Sequence, residues 1–121
     1  MIRWILAKSV EIPEDFQLHQ QLERHVAGRL QMAESGQKID FGGAEAAAFG
    51  SLLHQGFSVR IAGQEAGRAT FAHRHAILTE QESERQVTPL KSLGDFAPIN
   101  APLTEQAVVA FEWGYAIDHP R

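Results

Sequence analysis

The 121-residue chain contains no cysteine, which excludes disulfides, thiolate metal sites and a cysteine nucleophile. It also has no run of Lys or Arg. Eleven basic residues stand against fifteen acidic ones, for a formal net charge of −4, so we expect neither a nucleic-acid-binding surface nor an anionic-membrane surface. The longest apolar stretch near the start, residues 4–7, is far shorter than the about 20 residues of a membrane span. We therefore expect no membrane association and no targeting segment.

The chain also lacks the short motifs of several large enzyme classes. It has no G-x-S-x-G, no H-E-x-x-H and no glycine-rich triphosphate motif, which leaves no sequence basis for a serine hydrolase, a zinc protease or a P-loop enzyme. With 44% hydrophobic and 21% charged residues, the composition is that of an ordinary globular domain. A chain of this length buries enough apolar surface to hold a core without disulfides.

An amphipathic helix is predicted at residues 14–34, after about ten residues with no clear period. Four apolar residues recur at every fourth position: Leu18, Leu22, Val26 and Leu30. This spacing places them on one stripe of a helix. Pro13 is tolerated near the helix start, and Gly36 is a typical stop.

A second helix is predicted from Asp40, as N-cap, to a stop at Gly56, and its many small residues favour close packing. Residues 57–62 alternate between apolar and polar, which predicts a strand. A glycine-containing loop at 63–75 follows. Helix, strand and loop in this order are typical of an α/β fold, in which ligands bind beyond the carboxyl ends of the strands.

The last third of the chain predicts an exposed loop at residues 79–88, a strand at 96–100 and a final helix. Pro98 cannot donate to a ladder, so the strand is expected at a sheet edge. Thr104 is a suitable N-cap for the helix, and Glu105 lies in its first turn. The helix is apolar nearly all round, which predicts burial on most sides.

Two groups of residues are candidates for chemistry. In an extended segment His73 and His75 would point to the same side, where they could share a metal ion or, with Arg74 and Arg68, receive an anionic substrate. The other histidines offer no matching spacing for further metal ligands, and a solvent-facing polar loop is the simpler alternative. Glu105 is either a surface acid at a helix start or a buried proton-transfer group.

Two long motifs resemble a known enzyme family. The string VRIAGQEAGRATFAHRHA at residues 59–76 resembles the signature V-R-L-S-G-[EQ]-D-x-x-R-G-T-F-x-x-R-H-A of the thiamine diphosphate-dependent, decarboxylating first component of 2-oxoglutarate dehydrogenase. The string NAPLTEQAVVAFEWGYA at residues 100–116 resembles that family's N-S-x-L-S-E-E-A-V-L-x-F-E-Y-G-Y, in the same order and separation. Residues 12–16 and 39–45 resemble the approach to its pyrimidine-binding domain. The related 2-oxoadipate enzymes share these motifs.

The resemblance implies an α/β fold, a partial transketolase-like pyrimidine-binding domain with a short, mainly parallel sheet flanked by helices and preceded by an amphipathic helix. It divides the chain into an N-terminal segment with a linker helix at 1–36 and the first half of the domain at 37–121. The implied reaction is oxidative decarboxylation of 2-oxoglutarate in the tricarboxylic acid cycle. The implied cofactor is thiamine diphosphate, with magnesium held by a domain outside this chain.

The resemblance also assigns partners and residue roles. The implied partners are the remainder of the decarboxylating component, as a homodimer, and the dihydrolipoyl succinyltransferase, in the bacterial cytoplasm or the mitochondrial matrix. Glu105 matches the glutamate that hydrogen-bonds the ring nitrogen of the aminopyrimidine. His75 matches a catalytic position at the substrate end. Three further residues are implied to bind substrate: His73, Arg74 and Arg68.

Two positions depart from the family pattern. Glu65, implied to bind cofactor, stands in place of Asp, and Ala69 stands in place of a Gly that a backbone angle or a close approach would require. These changes motivate a second hypothesis, in which the chain is a non-catalytic interaction module derived from that domain. Since the resemblance covers only part of such an active site, we expect the isolated chain to be inactive, and apolar surface on the last helix to lack its cover.

Overall fold

The computed structural model describes residues 1–102 and 104–120. Its elements follow one another along the chain as α1 (Ile2–Lys8), α2 (Gln20–Ser35), α3 (Phe41–His54), β1 (Val59–Gly63), β2 (Leu78–Thr79), β3 (Gln86–Val87), β4 (Phe96–Asn100) and α4 (Glu105–Asp118). A single 3-10 turn at Pro89–Ser92 leads into β4. Helices flank a short parallel sheet, which confirms the predicted α/β fold.

The parallel sheet consists of β1 and β4, paired in register from Val59 opposite Phe96 to Gly63 opposite Asn100. Within the described residues the sheet has these two strands alone, so each is an edge strand. Pro98, opposite Ile61, is therefore tolerated as predicted. Because the strands are parallel, the segments that follow Gly63 and Asn100 leave the sheet at the same edge.

Three apolar clusters form the core. The first packs α3 against the sheet and contains the residues Leu53, Val59, Ala76, Leu90 and Phe96. The second joins the three N-terminal helices through Leu6, Ala33 and Ala47. The third joins Phe16 and Leu18, in the segment that precedes α2, to Leu78 of β2. The N-terminal helices thus share their packing with the part of the chain that carries the sheet.

The N-terminal predictions need two corrections. Residues 2–8 form the helix α1, which the sequence showed no period for, and α2 begins at Gln20 rather than near residue 14. His19 is the N-cap, and its side chain accepts a hydrogen bond from the Gln21 N–H. Leu18 packs in the core ahead of this cap, so its apolar character does not require a helix. Gly36 ends α2 as predicted, with a φ of 66° in the left-handed region.

The second predicted helix is confirmed as α3, and so is its close packing. The Asp40 carboxylate caps the helix by accepting a hydrogen bond from the Gly43 N–H at 2.6 Å. At Gly42, a Cβ atom would overlap the His73 carbonyl oxygen and lie 3.2 Å from the Arg29 guanidinium. A residue without a side chain at this position therefore lets the His73 loop rest directly on α3.

Two predictions for the C-terminal third are wrong. Residues 79–88 are not entirely loop, because β2 and β3 pair as a short antiparallel hairpin, with Leu78 opposite Val87. Helix α4 begins after its Thr104 cap as predicted, but none of its residues is buried, so the prediction of burial on most sides is wrong, whereas the expectation that its apolar surface lacks a cover agrees with the structure. Val109, Trp113 and Ile117 are 67%, 73% and 67% exposed. An apolar run shows that a helix has apolar surface; it does not supply an element of the same chain to cover it.

No helix within residues 1–102 and 104–120 combines the length and the hydropathy that crossing a membrane would require.

Candidate active site

The loop after β1 and the segment after β4 meet at the carboxyl edge of the parallel sheet. The Ala101 N–H donates to the Gly63 carbonyl at 2.8 Å, and the Gly67 N–H donates to the Asn100 side-chain oxygen at 3.2 Å. These two hydrogen bonds tie the loop with the predicted histidines to the segment that leads into α4 and Glu105. The location agrees with the expectation that ligands bind beyond the strand ends.

The loop is compact and bends sharply, so residues 73–75 are not extended as the paired-histidine prediction assumed. Four of its non-glycine residues have positive φ angles: Glu65 at 49°, Ala69 at 68°, Ala72 at 53° and His75 at 41°. The Arg68 carbonyl accepts N–H groups from both Arg74 and His75, at 3.1 and 3.2 Å. Ala69, where the family pattern has glycine, thus holds a backbone angle that glycine adopts without strain.

Glu45 of α3 is the main ionic partner of the loop. Its carboxylate accepts hydrogen bonds from Nε and Nη2 of Arg74 at 2.8 and 2.7 Å, a bidentate pair. Arg74 also donates from Nη1 to the Ala66 carbonyl at 2.8 Å. The Nε2 atom of His73 is 3.6 Å from the same carboxylate, and it is buried without a hydrogen-bond partner among the described residues. One acid therefore orients Arg74 and lies beside His73, two of the predicted substrate-binding side chains.

His75 packs against a histidine of α2. The rings of His25 and His75 have centroids 4.7 Å apart and cross at 61°. Burial, followed by the positive charge of Arg29, lowers the pKa of His25 from 6.5 to about 4. Burial, followed by the charge of Arg68, lowers the pKa of His75 as well. Both rings are therefore neutral at pH 7, and Arg29, one turn beyond His25, is almost fully buried beside them.

Glu105, Arg68 and Glu65 are exposed at the rim of this region. Glu105 borders an open depression of about 610 Å³ on α4, whose floor includes Val109 and Trp113. A carboxylate beside exposed apolar surface can hold a polar ring edge while the apolar groups cover a ring face. A carboxylate beside apolar side chains suits one side of an aminopyrimidine, which has polar ring edges and apolar ring faces.

Helix α4 itself is attached to β1 by Arg60. The Arg60 guanidinium pairs with Glu112 at 2.7 Å and lies 3.3 Å above the Tyr115 ring. A guanidinium over an aromatic face gains cation–π attraction in addition to the ion pair. Since α4 buries none of its own residues, these contacts attach its second half to β1, whereas its first turn, with Glu105, begins at the Thr104 cap.

The structure thus gathers His73, Arg74 and His75 in one loop over α3, while Glu105 stands on a separate element at the same sheet edge. Sequence reasoning missed Glu45 and His25. Each had a recognisable signal: Glu45 is an acid next to the small buried residues of α3, and His25 lies three residues after Leu22 on the inner side of α2.

The metal-binding alternative for His73 and His75 gains no support. Within the described part of the chain, no three His, Cys, Asp or Glu residues come together as a possible metal site.

Comparison with known proteins places these residues in a family. Residues 37–121 match the model of the transketolase pyrimidine-binding domain. The chain is 45% identical to the 2-oxoadipate dehydrogenase complex component E1 of Danio rerio over 127 aligned residues, which cover the whole chain and 14% of the relative. It is 39% identical to the 2-oxoglutarate dehydrogenase E1 component of Brucella anthropi over 118 residues, 94% of the chain and 12% of the relative.

The chain therefore spans about one seventh of the length of the curated relatives that it matches over its whole length. The matched region contains the loop with His73 to His75, the sheet and α4 with Glu105, whereas α1 and α2 precede it. The sequence motifs, the parallel strand pair and the match over residues 37–121 agree, and the chain belongs to the transketolase pyrimidine-binding domain family.

Proposed function

We propose that this chain forms part of the decarboxylating first component of a 2-oxo acid dehydrogenase complex that acts on 2-oxoglutarate and uses thiamine diphosphate. The observation that supports this most directly is the convergence, at one edge of a parallel sheet, of a histidine- and arginine-rich loop and a helix that begins with Glu105. When bound, thiamine diphosphate supplies the electron sink for loss of carbon dioxide from a 2-oxo acid.

Glu105 is the carboxylate that we propose to activate the cofactor. Its side chain is exposed in the first turn of α4, where the Thr104 hydroxyl caps the helix by accepting the Ala107 N–H at 3.0 Å. In our proposal the Glu105 carboxyl group hydrogen-bonds a ring nitrogen of the aminopyrimidine, while Val109 and Trp113 cover apolar ring surface and exclude water. Glu65, at the rim of the same edge, would contact the cofactor from the loop.

The loop would receive the anionic substrate. His75 and His73 offer imidazole groups, and Arg68 is an exposed cation beside them. Because the lowered pKa of His75 keeps its ring neutral at pH 7, His75 can donate or accept a hydrogen bond and can move a proton. The Arg74 guanidinium is already held by Glu45, which neutralises its charge, and by the Ala66 carbonyl, so it would help to bind substrate mainly by fixing the loop.

The same proposal extends to partners and location. The exposed apolar side of α4, with Val109, Trp113 and Ile117, supports contact with the remainder of the component, as a homodimer. Association with the dihydrolipoyl succinyltransferase, a magnesium ion held outside this chain, and a location in the bacterial cytoplasm or the mitochondrial matrix follow from the proposed reaction.

A chimeric enzyme tests the proposal. This chain replaces the matching segment of the Brucella anthropi 2-oxoglutarate dehydrogenase E1 component, and 2-oxoglutarate-dependent reduction of an artificial acceptor is measured. Glu105→Gln is expected to lower kcat by about 100-fold or more, the usual contribution of a positioned proton-transfer group. Asp118→Asn, at the other end of α4, is the matched control and is expected to leave kcat within about twofold.

The outcomes separate the candidate functions. An active chimera in which Glu105→Gln has no effect contradicts the catalytic role and favours the non-catalytic interaction module. A higher kcat/KM with 2-oxoadipate than with 2-oxoglutarate selects the adipate-specific function, which the 45% identity to the Danio rerio protein favours as the second candidate. The isolated chain is expected to show no turnover, and clear activity would contradict that expectation.

A further inference from the structure

His25 lies outside the matched family region, on α2, yet it is the aromatic neighbour of His75. The two ring centroids are 4.7 Å apart and the ring planes cross at 61°, an edge-to-face geometry that aromatic pairs prefer. The Nε2 atom of His25 is buried, and it has no hydrogen-bond partner among the described residues. A buried polar atom without a partner is costly, so its presence calls for an explanation beyond packing.

His75 itself has an unusual backbone conformation and few charged neighbours that could hold its ring. Its backbone has a φ of 41°, in the left-handed region that non-glycine residues rarely adopt. Its N–H donates to the Arg68 carbonyl at 3.2 Å, which fixes the backbone, and a hydrogen bond to the Ala72 backbone acts on the ring and partly opposes the lowering of its pKa. The charged and titratable groups that act on His75 are Arg68 and His73 from its own loop and Arg29 from α2. All three are cationic or neutral, so none of them holds the ring by an ion pair.

We propose that His25 is a positioning residue for His75. Its ring fixes the orientation of the His75 imidazole and shields it from water at the substrate end of the site, a role that rests on the function proposed above for His75. The lowered pKa of His25 supports this, because a neutral ring beside His75 adds no repulsion when His75 takes up a proton. Helix α2 would then be part of the working site although it precedes the family domain.

NMR of the histidine rings in the 121-residue chain tests the proposal. In the wild-type chain, nuclear Overhauser contacts between the His25 and His75 rings are expected, and the His75 pKa is expected below 6.5. In His25→Ala the His75 ring gains water, and its pKa is expected to rise from the wild-type value toward the ordinary value of 6.5, because part of the burial that lowers it is lost. In His25→Phe, which keeps an aromatic ring, the His75 pKa is expected to stay low.

His54→Ala is the matched control, because His54 also sits edge-on to an aromatic ring, that of Trp4, at 5.3 Å. It is expected to leave the His75 pKa unchanged. The proposal is overturned if the wild-type chain lacks the ring–ring contacts, or if folded His25→Ala keeps the wild-type His75 pKa. If His25→Ala does not fold, the proposal is tested by the ring–ring contacts of the wild-type chain and by the His75 pKa in His25→Phe. A His75 pKa that rises in His25→Phe refutes positioning by an aromatic ring.

These measurements need neither cofactor nor substrate. An inactive chimera would therefore count against the proposed function and leave the positioning of His75 to be judged by NMR alone. Conversely, an unchanged His75 pKa in His25→Ala would remove the role of His25 and leave the proposed roles of Glu105 and His75 intact.

Discussion

Replacing Glu45 by glutamine would remove the charge that holds the histidine loop to α3 while keeping the size of the side chain. In the wild-type chain Glu45 accepts two hydrogen bonds from Arg74, at 2.8 and 2.7 Å, and both side chains are mostly buried, at 15% and 17% exposure. The glutamine oxygen can accept one of these bonds. Its NH₂ group would then face the second Arg74 donor, leaving a largely buried guanidinium without its counter-charge.

The cost lies between two limits. Breaking a fully buried pair costs about 3–5 kcal/mol, because it leaves an uncompensated charge, whereas an exposed pair contributes about 0–1 kcal/mol. Arg74 keeps its bond to the Ala66 carbonyl, so we expect Glu45→Gln to cost about 2–3 kcal/mol. For a chain of 121 residues, unfolding entropy of about 2.1 cal/mol/K per residue converts this to a fall in Tm of about 8–12 °C.

Thermal and urea unfolding followed by circular dichroism measure this loss. The control is Glu11→Gln, which breaks the pair of Glu11 with Lys8, also 2.7 Å long but exposed at 54% and 31%. The control is expected to cost no more than about 0.5 kcal/mol. Equal losses in the two variants would refute the reasoning, since they would show that burial of the Glu45–Arg74 pair does not set its contribution.

Three further predictions follow from other contacts. Gly42→Ala is expected to lower the free energy of unfolding by about 1–3 kcal/mol in chemical unfolding, because the added methyl group overlaps the His73 carbonyl oxygen. Gly28→Ala on α2, whose added methyl group meets no atom within 4 Å, is the control and is expected to be neutral or stabilising; equal effects of the two substitutions would contradict the close approach at Gly42. Arg60→Met is expected to speed amide hydrogen exchange throughout α4 while α3 is unaffected, and unchanged α4 exchange would show that the guanidinium does not hold the helix. The pKa of His25 is lowered from 6.5 to about 4 in the folded chain, so the unfolded chain binds this proton first and the free energy of unfolding falls as pH drops from about 6.5 to about 4. In urea titrations His25→Phe is expected to make this pH dependence of stability shallower, and an identical pH dependence would contradict the lowered pKa.

The sequence predicted local features where a local interaction decides them. The Asp40 cap, the Gly36 stop and the Thr104 cap are each satisfied within a few residues along the chain, and all three are present. The start of α2 was misplaced because Leu18 belongs to a core cluster formed with Phe16 and Leu78, a contact that periodicity does not reveal. Helix α1 was missed because its burial comes from packing against two later helices.

The candidate site divides in the same way. Contiguous residues such as His73, Arg74 and His75 could be singled out from their motif, and Glu105 from its position after a capping residue. The partners that orient them could not, because Glu45 and His25 come from two different helices and reach the loop only after the chain has folded.

By itself, the sequence determined the family and the α/β class and supplied candidate residues for chemistry, since motifs, caps and strand patterns are properties of neighbouring residues. Only the tertiary structure decided which charges meet, which rings are shielded from water and which apolar faces stay exposed. The pKa of His25 falls to about 4 because of burial that no local pattern encodes. Trp113 is 73% exposed because burial depends on which elements lie nearby, and a helix's own sequence does not specify them.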